Sequence, residues 1–192
     1  MRVLTALGIV FGVLFLIGMT VFGWITGSYN TLVAQRMECS TQWSQVETQY
    51  QRRLDLIPNL VAATRGYLIH EEKVFKDIAD ARAHYANSTG DDKIKAQGEL
   101  EGVLSRLMMI VENYPNLKAD QTVKDLMFEL SGTENRINVA RQRYNEAVQV
   151  YNTNIQSFPS NIIAGYFHFA EKTLYVSQKG AEAAPIVNLE VQ

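Results

Sequence analysis

A charged stretch with apolar flanks surrounds one proline of this chain: Gln49-Tyr50-Gln51-Arg52-Arg53-Leu54-Asp55-Leu56-Ile57-Pro58-Asn59-Leu60-Val61. Pro58 has no backbone N–H to donate, and its ring disfavours helical geometry at Ile57. We therefore expect the first long helix to kink or end here, and a second helix to begin with Pro58 in its first turn. The rest of the chain is predicted to fold back on the first helix.

Polar side chains gather beside this proline. Arg52, Asp55 and Asn59 follow the spacing of one helical face. Such a group is either a polar joint buried between helices or a solvated stripe. We predict the joint, with opposite charges paired, because an isolated charge inside a bundle is costly. Its predicted members, including partners on the last long helix, are Arg52, Arg53, Asp55, Pro58, Asn59, Glu134 and Arg141.

Towards the N-terminus, residues 3–25 are apolar apart from threonines and glycines, and no charge lies between Arg2 and Arg36. About 20 such residues span the core of a bilayer. A cleaved leader would have a shorter apolar region and a small-residue cleavage site. We therefore predict a retained single-pass transmembrane anchor, with Trp24 and Tyr29 as aromatic residues at the membrane interface.

Beyond Tyr29, apolar residues recur at alternating steps of three and four, which predicts long packed helices. After the first helix we expect helices over residues 58–85, 92–113 and about 118–157, with a turn over 87–92. The predicted fold is all-α, an antiparallel bundle of long helices on one N-terminal transmembrane helix. Its predicted parts are the anchor (3–25), the bundle (29–157), and a short aromatic helix with an extended tail packed on the bundle (158–192).

The last long helix carries asparagines at seven-residue spacing, Asn138, Asn145 and Asn152. Asparagine is a poor helix former because its side chain competes with the backbone for hydrogen bonds. Three in register are either solvated residues or a ladder of amides that hydrogen-bond between helices, and we predict the ladder. After it, residues 158–175 are rich in aromatic side chains, which either pack on the bundle or touch the membrane interface; we expect packing.

Composition excludes several classes of function. The formal net charge is −2 and the basic residues are dispersed, so no nucleic-acid partner is expected. Cys39 is the single cysteine, which excludes an intramolecular disulfide. The sequence has no glycine-rich phosphate loop, nucleophile elbow or zinc-ligand spacing. We expect no catalytic residues, no metal and no cofactor.

Two blocks of sequence resemble the LemA family of bacterial membrane proteins. The first is Gln51 to Val61, followed by Gly66-Tyr67 and His70-Glu71. The second comprises Thr133-Glu134-Asn135-Arg136-Ile137, Ala140-Arg141, Tyr144-Asn145, Tyr151-Asn152 and Phe158-Pro159-Ser160-Asn161. The resemblance implies an antiparallel helical bundle on an N-terminal membrane anchor. It also implies roles in organising membranes, with membrane metallopeptidases as partners, but no catalytic residues.

The function expected from these features is a membrane-anchored scaffold that acts by self-association or by binding a partner, in the bacterial cytoplasmic membrane. A homo-oligomer is expected because repeated helical faces commonly associate. Positive charges near the ends of the apolar run weakly favour a domain outside the cytoplasm. Alternatives are a bundle that binds a small molecule or lipid in a charged pocket around Arg52, Asp55, Glu134 and Arg141, and a cryptic hydrolase using the same charges.

Overall fold

The computed structural model describes residues 2–68 and 71–175, and within them the side chains of all residues except 2–6 and 91. These residues form helices and connecting segments, with no strand among them. The helices are α1 (Arg2–Arg65), α2 (Glu72–Asn87), α3 (Gly90–Asn113), α4 (Pro115–Ala119), α5 (Gln121–Gln156) and α6 (Ser160–Tyr166). The predicted all-α helical bundle is confirmed. The extended tail predicted over 183–189 lies outside the described residues.

The predicted helix break at Pro58 is wrong, because α1 continues through this proline to Arg65. A proline inside a helix costs about 3 kcal/mol. Leu54, Ile57 and Leu60, on either side of it, are buried, and each fully buried apolar side chain contributes about 1.5–3 kcal/mol. Packing of this helical face therefore outweighs the local cost of the proline.

The helix ends instead one to two turns later. The carbonyl oxygen of Thr64 accepts hydrogen bonds from the backbone N–H groups of Tyr67 (3.0 Å) and Leu68 (3.1 Å), which closes the end of α1. The turn predicted over 87–92 is found between α2 and α3, where Gly90 has a φ of +57°. Only glycine adopts this left-handed backbone without strain. The chain therefore reverses at residues 88–90, close to where the sequence predicted.

The chain forms two compact units. The first unit contains α1 up to Val46, α5 from Ala140, and α6 with the residues up to Leu174. Within it, Gln35 of α1 bonds to Asn154 of α5, and Trp43 of α1 contacts Tyr144 of α5. Numbering thus rises on one helix as it falls on the other, so α1 and α5 are antiparallel here. The core between them includes Leu32, Cys39, Val148, Tyr151, Ile155 and Ile163.

The second unit contains α1 from Glu47, then α2, α3, α4, α5 up to Val139, and Tyr175. Apolar side chains from each of these helices fill its core, with Tyr50, Ile57, Ile78, Leu100, Leu104, Leu117, Leu130 and Ile137 among the buried residues. Many of them fall on the seven-residue rhythm expected from the sequence, as Leu130 and Ile137 do on α5. The packing of the second unit holds its charged residues in place.

The N-terminal part of α1 differs from both cores because its apolar side chains are exposed. Every described residue from 7 to 24 is exposed, and we call these residues the apolar segment. The segment belongs to the one helix in the described part of the chain that is long and apolar enough to cross a membrane, by length and composition. Its hydroxyl groups are satisfied within the helix: Thr20 donates to the carbonyl oxygen of Leu16, and Thr26 to that of Phe22. This N-terminal helix indicates membrane anchoring.

Candidate functional site

Among the described residues of the second unit, the most deeply buried charge is that of Arg53, whose side chain is 2% exposed. Its guanidinium nitrogens lie 3.4 Å from a carboxylate oxygen of Glu134 on α5 and 3.7 Å from one of Glu101 on α3. Glu101 also accepts a 2.6 Å hydrogen bond from the hydroxyl of Tyr50. We call Arg53, Tyr50, Glu101 and Glu134 the Arg53 cluster. It ties α1 to α3 and α5 within this unit.

The other members of the predicted joint beside Pro58 lie outside this cluster. Arg52 is exposed and pairs with Glu129 at 3.4 Å. Asp55 is exposed and accepts a hydrogen bond from Gln51, one helical turn earlier. The side chains of Pro58 and Asn59 are exposed as well. The structure therefore places Arg53 at the centre, whereas the sequence argument had placed Arg52, Asp55 and Asn59 together on the inner face.

The seven-residue rhythm of α1 explains why Arg53, a predicted member of the joint, is buried. Leu32, Cys39 and Val46 are buried at successive steps of seven residues, and the next step falls on Arg53. A charge at a core position of such a repeat is costly unless it is paired, so it calls for a carboxylate partner. Glu101, the better-buried of its two partners, had no distinctive spacing, and sequence reasoning missed it.

A second set of polar contacts extends from the Arg53 cluster through Tyr50. The ring of Tyr50 stacks on Tyr85 of α2 with centroids 5.7 Å apart. Lys93 of α3 lies 5.0 Å from the centre of the Tyr85 ring and 2.8 Å from a carboxylate oxygen of Glu47. Burial raises the pKa of Tyr85, and the hydrogen bond to Glu47 raises the pKa of Lys93. The neutral phenol and the charged ammonium are therefore the forms that this packing stabilises.

This arrangement has the chemistry of a structural ion pair. The guanidinium of Arg53 is too deeply buried to present a surface to a ligand. Among the described residues, no group of three or more His, Cys, Asp or Glu side chains is placed to hold a metal ion. The cluster adds a buried ion pair to the apolar core and to the more exposed pairs Lys93–Glu47 and Arg52–Glu129 that also join these helices.

The remaining predicted residues on α5 have separate environments. Arg141, in the first unit, has a partly buried side chain. Asn138 is exposed, and Asn145 is partly buried. The side-chain amide of Asn152, a member of the predicted ladder, pairs with a segment that is not a helix. It bonds to an extended segment that follows α6.

This segment, residues 169–174, is held along α5 in the first unit, and we call it the strap. The side-chain amide of Asn152 donates to the carbonyl oxygen of Lys172 at 2.8 Å, and its carbonyl accepts from the Lys172 N–H at 3.0 Å. The hydroxyls of Tyr151 and Tyr144 donate to the carbonyl oxygens of Ala170 and Thr173, both at 3.0 Å. An extended chain has no partners of its own for these backbone groups, so α5 side chains supply them.

The sequence of α5 contains two Tyr-Asn dipeptides seven residues apart, 144–145 and 151–152. The second of them has a structural role in holding the strap. Tyr151 and Asn152 together fasten two residues of the strap. Burial raises the pKa of Tyr151, which keeps its hydroxyl protonated and able to donate. The strap in turn fixes the position of α6, to which it is directly connected.

The short helix α6 exposes an apolar face. Ile162 and Tyr166, four residues apart on α6, are 58% and 77% exposed, and Phe158, two residues before the helix, is 81% exposed. We call these three side chains the aromatic face. Ile163 and Ala164 are buried on the other side of α6. At the end of α6, Phe167 contacts Tyr29 of α1, with ring centroids 4.8 Å apart. The sequence predicted aromatic packing here: Phe167 packs against Tyr29, whereas Phe158 and Tyr166 are exposed.

Comparison with known proteins identifies the relatives of this chain. The LemA family matches residues 42–189. Magnetosome protein MamQ 2 and Magnetosome protein MamQ 1 of Paramagnetospirillum magneticum are each 28% identical to it, over 83% of this chain and 68% of theirs. Magnetosome protein MamQ of Magnetospirillum gryphiswaldense is 26% identical, over 85% of this chain and 70% of its own. Because the family match covers most of the sequence, including the Arg53 cluster and the strap, this chain belongs to the LemA family.

Proposed function

We propose that this protein is a membrane-anchored helical scaffold that acts by self-association or by binding a membrane partner. The observation that carries the proposal is the continuity of α1. One helix runs from the exposed apolar segment to residues packed in the core, of which Leu32 is the first that is fully buried. A domain joined to its anchor by a helix, without a loop, is held at a fixed height beside the membrane.

Exposed apolar side chains on the long helices support the association half of the proposal. Phe128 of α5, in the second unit, is 82% exposed. In the first unit, a groove of about 290 Å³ lies between α1 and α5, with Ala147 and Val150 at its apolar part and Gln35, Glu38 and Arg143 at its polar part. Helical partners commonly bind to such surfaces through apolar anchors with a polar rim.

The relatives support the same class of function. They are named as magnetosome proteins and not for a reaction. We therefore propose a role in association over a role in catalysis. A partner such as a membrane metallopeptidase, which the family resemblance implies, and a second copy of this chain are the two candidates for what is bound.

The anchoring is tested by Leu14→Arg, which places a charge at the middle of the apolar segment. This change costs about 3 kcal/mol of insertion free energy, enough to shift most of the protein out of the membrane. We expect the unmodified protein to remain in membranes through a carbonate wash, and the variant to be largely released. Leu14→Ile is the matched control. A processed N-terminus near Ser28, or equal retention of both variants, contradicts the proposal.

The association is tested by crosslinking in native membranes, followed by identification of the bound proteins and by size measurement in mild detergent. We expect a homo-oligomer or a complex with a defined membrane protein. Phe128→Ser should reduce the yield of that complex several-fold, whereas Phe128→Leu should preserve it. A monodisperse monomer without crosslinks in membranes contradicts a scaffold function.

For the location, we propose a single-pass protein of the bacterial cytoplasmic membrane with its helical domain outside the cytoplasm. Labelling of cysteines introduced at exposed positions with a membrane-impermeant reagent, in intact and in opened cells, tests this orientation. Labelling that occurs only in opened cells would place the helical domain in the cytoplasm and contradict the proposed orientation.

The ligand-binding and hydrolase alternatives stay predictions of the sequence. Both require a charged pocket around Arg52, Asp55, Glu134 and Arg141, whereas Arg52 pairs with Glu129 and Asp55 accepts a hydrogen bond from Gln51 in the second unit. A melting temperature that rises with a small molecule or lipid would support the binding alternative.

A further inference from the structure

We infer that the aromatic face, formed by Phe158 just before α6 and by Ile162 and Tyr166 on it, lies in the headgroup layer of the membrane that α1 enters. This inference rests on the anchoring proposed above and adds a second point of membrane contact. It begins from the exposure of these side chains, since large apolar residues gathered on one face of a soluble surface are uncommon outside binding sites.

The first step is the depth of the apolar segment. Residues 7–24 are exposed on every side of the helix, and at 1.5 Å per residue this segment is about 27 Å long. The hydrocarbon core of a bilayer is about 30 Å thick. The exposed segment and the residues just before it therefore occupy that core, and its boundary falls close to Ile25.

The second step is the position of α6 relative to this boundary. The exposure of α1 changes abruptly after Trp24, because Ile25, Thr26, Ser28 and Tyr29 are partly buried. Tyr29 lies about 6 Å along the helix beyond Ile25, and its ring contacts both Phe167 and Phe169. A headgroup layer is about 5–8 Å thick on each side of the core. The end of α6 therefore lies at the depth of the headgroups.

The third step is the orientation of the aromatic face. Ile163 and Ala164 face the core of the first unit, so Ile162 and Tyr166 point away from it. A turn at His168 fixes this orientation: the N–H of Phe167 donates to the carbonyl oxygen of Ile163, and that of Phe169 donates to Ala164. The strap then follows α5, held by Asn152 at Lys172. Aromatic rings with a polar tip, such as that of Tyr166, favour the headgroup layer.

Basic and aromatic groups continue this surface. The guanidinium of Arg36 lies 5.1 Å from the centre of the Phe169 ring. Phe169 is itself partly buried, and Arg36 lies about 16 Å along α1 beyond Ile25, so this cation is on the water side of the aromatic groups, where it attracts anionic headgroups. The occupant that fits the aromatic face is therefore the bilayer itself, and a second copy of the chain is the alternative that the experiment must exclude.

The test uses the full chain carrying Cys39→Ala, so that single cysteines can be labelled with an environment-sensitive fluorophore. Labels are placed by Ile162→Cys, by Tyr166→Cys, by Leu14→Cys in the apolar segment, and by Val150→Cys as a matched exposed position on α5. Each protein is reconstituted into phosphatidylcholine–phosphatidylglycerol vesicles with lipids that carry a quencher at a shallow or a deep position. Circular dichroism verifies that each variant keeps its helical content.

We expect labels at 162 and 166 to emit at shorter wavelength and to be quenched more by the shallow than by the deep quencher. The label at 14 should be quenched most by the deep quencher, and the label at 150 by neither. A quenched label at 14 with a solvent-like label at 162 overturns the inference and leaves the anchoring intact. Disulfide crosslinking of Ile162→Cys between copies, without lipid quenching, assigns the face to self-association and also overturns it. A label at 14 that no lipid quenches overturns the anchoring, and this inference with it.

Discussion

The Arg53 cluster of the second unit is built from charges, whereas the strap of the first unit is held by neutral hydrogen bonds. Arg53 is almost completely buried and faces two carboxylates, of which Glu101 is mostly buried and Glu134 half-exposed. Tyr151 and Asn152 instead offer a hydroxyl and an amide to backbone groups of a strap. Loss of a buried charge leaves its partners without compensation, while loss of a neutral donor costs one or two ordinary hydrogen bonds. Substitutions in the two regions should therefore differ in how much stability they remove and in how far along the chain their effect extends.

Arg53→Ala should have the largest effect. It removes a buried cation from Glu101 and Glu134 and leaves a cavity among α1, α3 and α5. The expected loss is about 3 kcal/mol or more in the free energy of unfolding. Chemical denaturation followed by circular dichroism measures it.

The matched control is Arg52→Ala, the neighbouring arginine in an exposed pair with Glu129. An exposed ion pair contributes under about 1 kcal/mol. Equal losses of unfolding free energy in Arg52→Ala and Arg53→Ala would show that the buried arginine contributes no more stability than the exposed one. Arg53→Met sharpens the comparison, since it fills the cavity but leaves Glu101 without its cation and should therefore restore only the packing part of the stability lost in Arg53→Ala.

Asn152→Ala should have a smaller and more local effect. Two hydrogen bonds to the backbone of Lys172 are lost, which corresponds to about 1–3 kcal/mol. Because the strap lies outside the helices and is held by side chains of α5, we expect its backbone to open without unfolding of the α-helices. Hydrogen exchange should become faster at residues 170–173 and remain slow in the middle of α5.

The control for this change is Asn138→Ala, at an exposed position of α5. It should alter the free energy of unfolding by less than about 0.5 kcal/mol. If Asn152→Ala instead lowers the stability of the whole protein as much as Arg53→Ala does, the contrast between the charged and the neutral region is wrong.

Alkaline pH should lower the free energy of unfolding least, and the first unit should lose stability at a lower pH than the second. Burial raises the pKa of Cys39 in the first unit and of Tyr85 in the second. Each folded state favours the neutral acid, so the stability is fully present below the unfolded pKa and is lost as pH rises through the folded pKa. The loss should begin near pH 8.5 for the thiol and near pH 10 for the phenol.

Urea denaturation between pH 7 and 10.5 measures this dependence, whose slope cannot exceed about 1.4 kcal/mol per pH unit for each group. Cys39→Ala should delay the decline to about pH 10. A decline that begins at the same pH in both proteins would mean that the thiol does not contribute.

The sequence predicted most of the helices because their signal is repeated many times. Successive core positions of α5, such as Leu130 and Ile137, support one another, and a single unfavourable residue does not change the pattern. Pro58 shows the limit of local reasoning. The proline weakens one turn of α1, but the helix survives because buried neighbours on both sides stabilise it, and these contacts come from distant parts of the chain.

The candidate site was predicted only in part for a similar reason. The spacing of Arg52, Asp55 and Asn59 describes a face of one helix, but which face is buried depends on the helices packed around it. The strap could not be foreseen from Asn152, because an amide that bonds to a backbone leaves no complementary side chain in the sequence. The exposure of the aromatic face of α6 likewise depends on how the strap holds that short helix.

The uninterrupted course of α1 has a consequence for the membrane around the protein. A helix longer than the local hydrocarbon thickness accommodates the mismatch by tilting. With no loop between the apolar segment and the packed residues from Leu32 onward, a tilt of the segment is imposed on the first unit as well. Lipid composition, through bilayer thickness, therefore contributes to the angle at which this unit leans over the membrane surface.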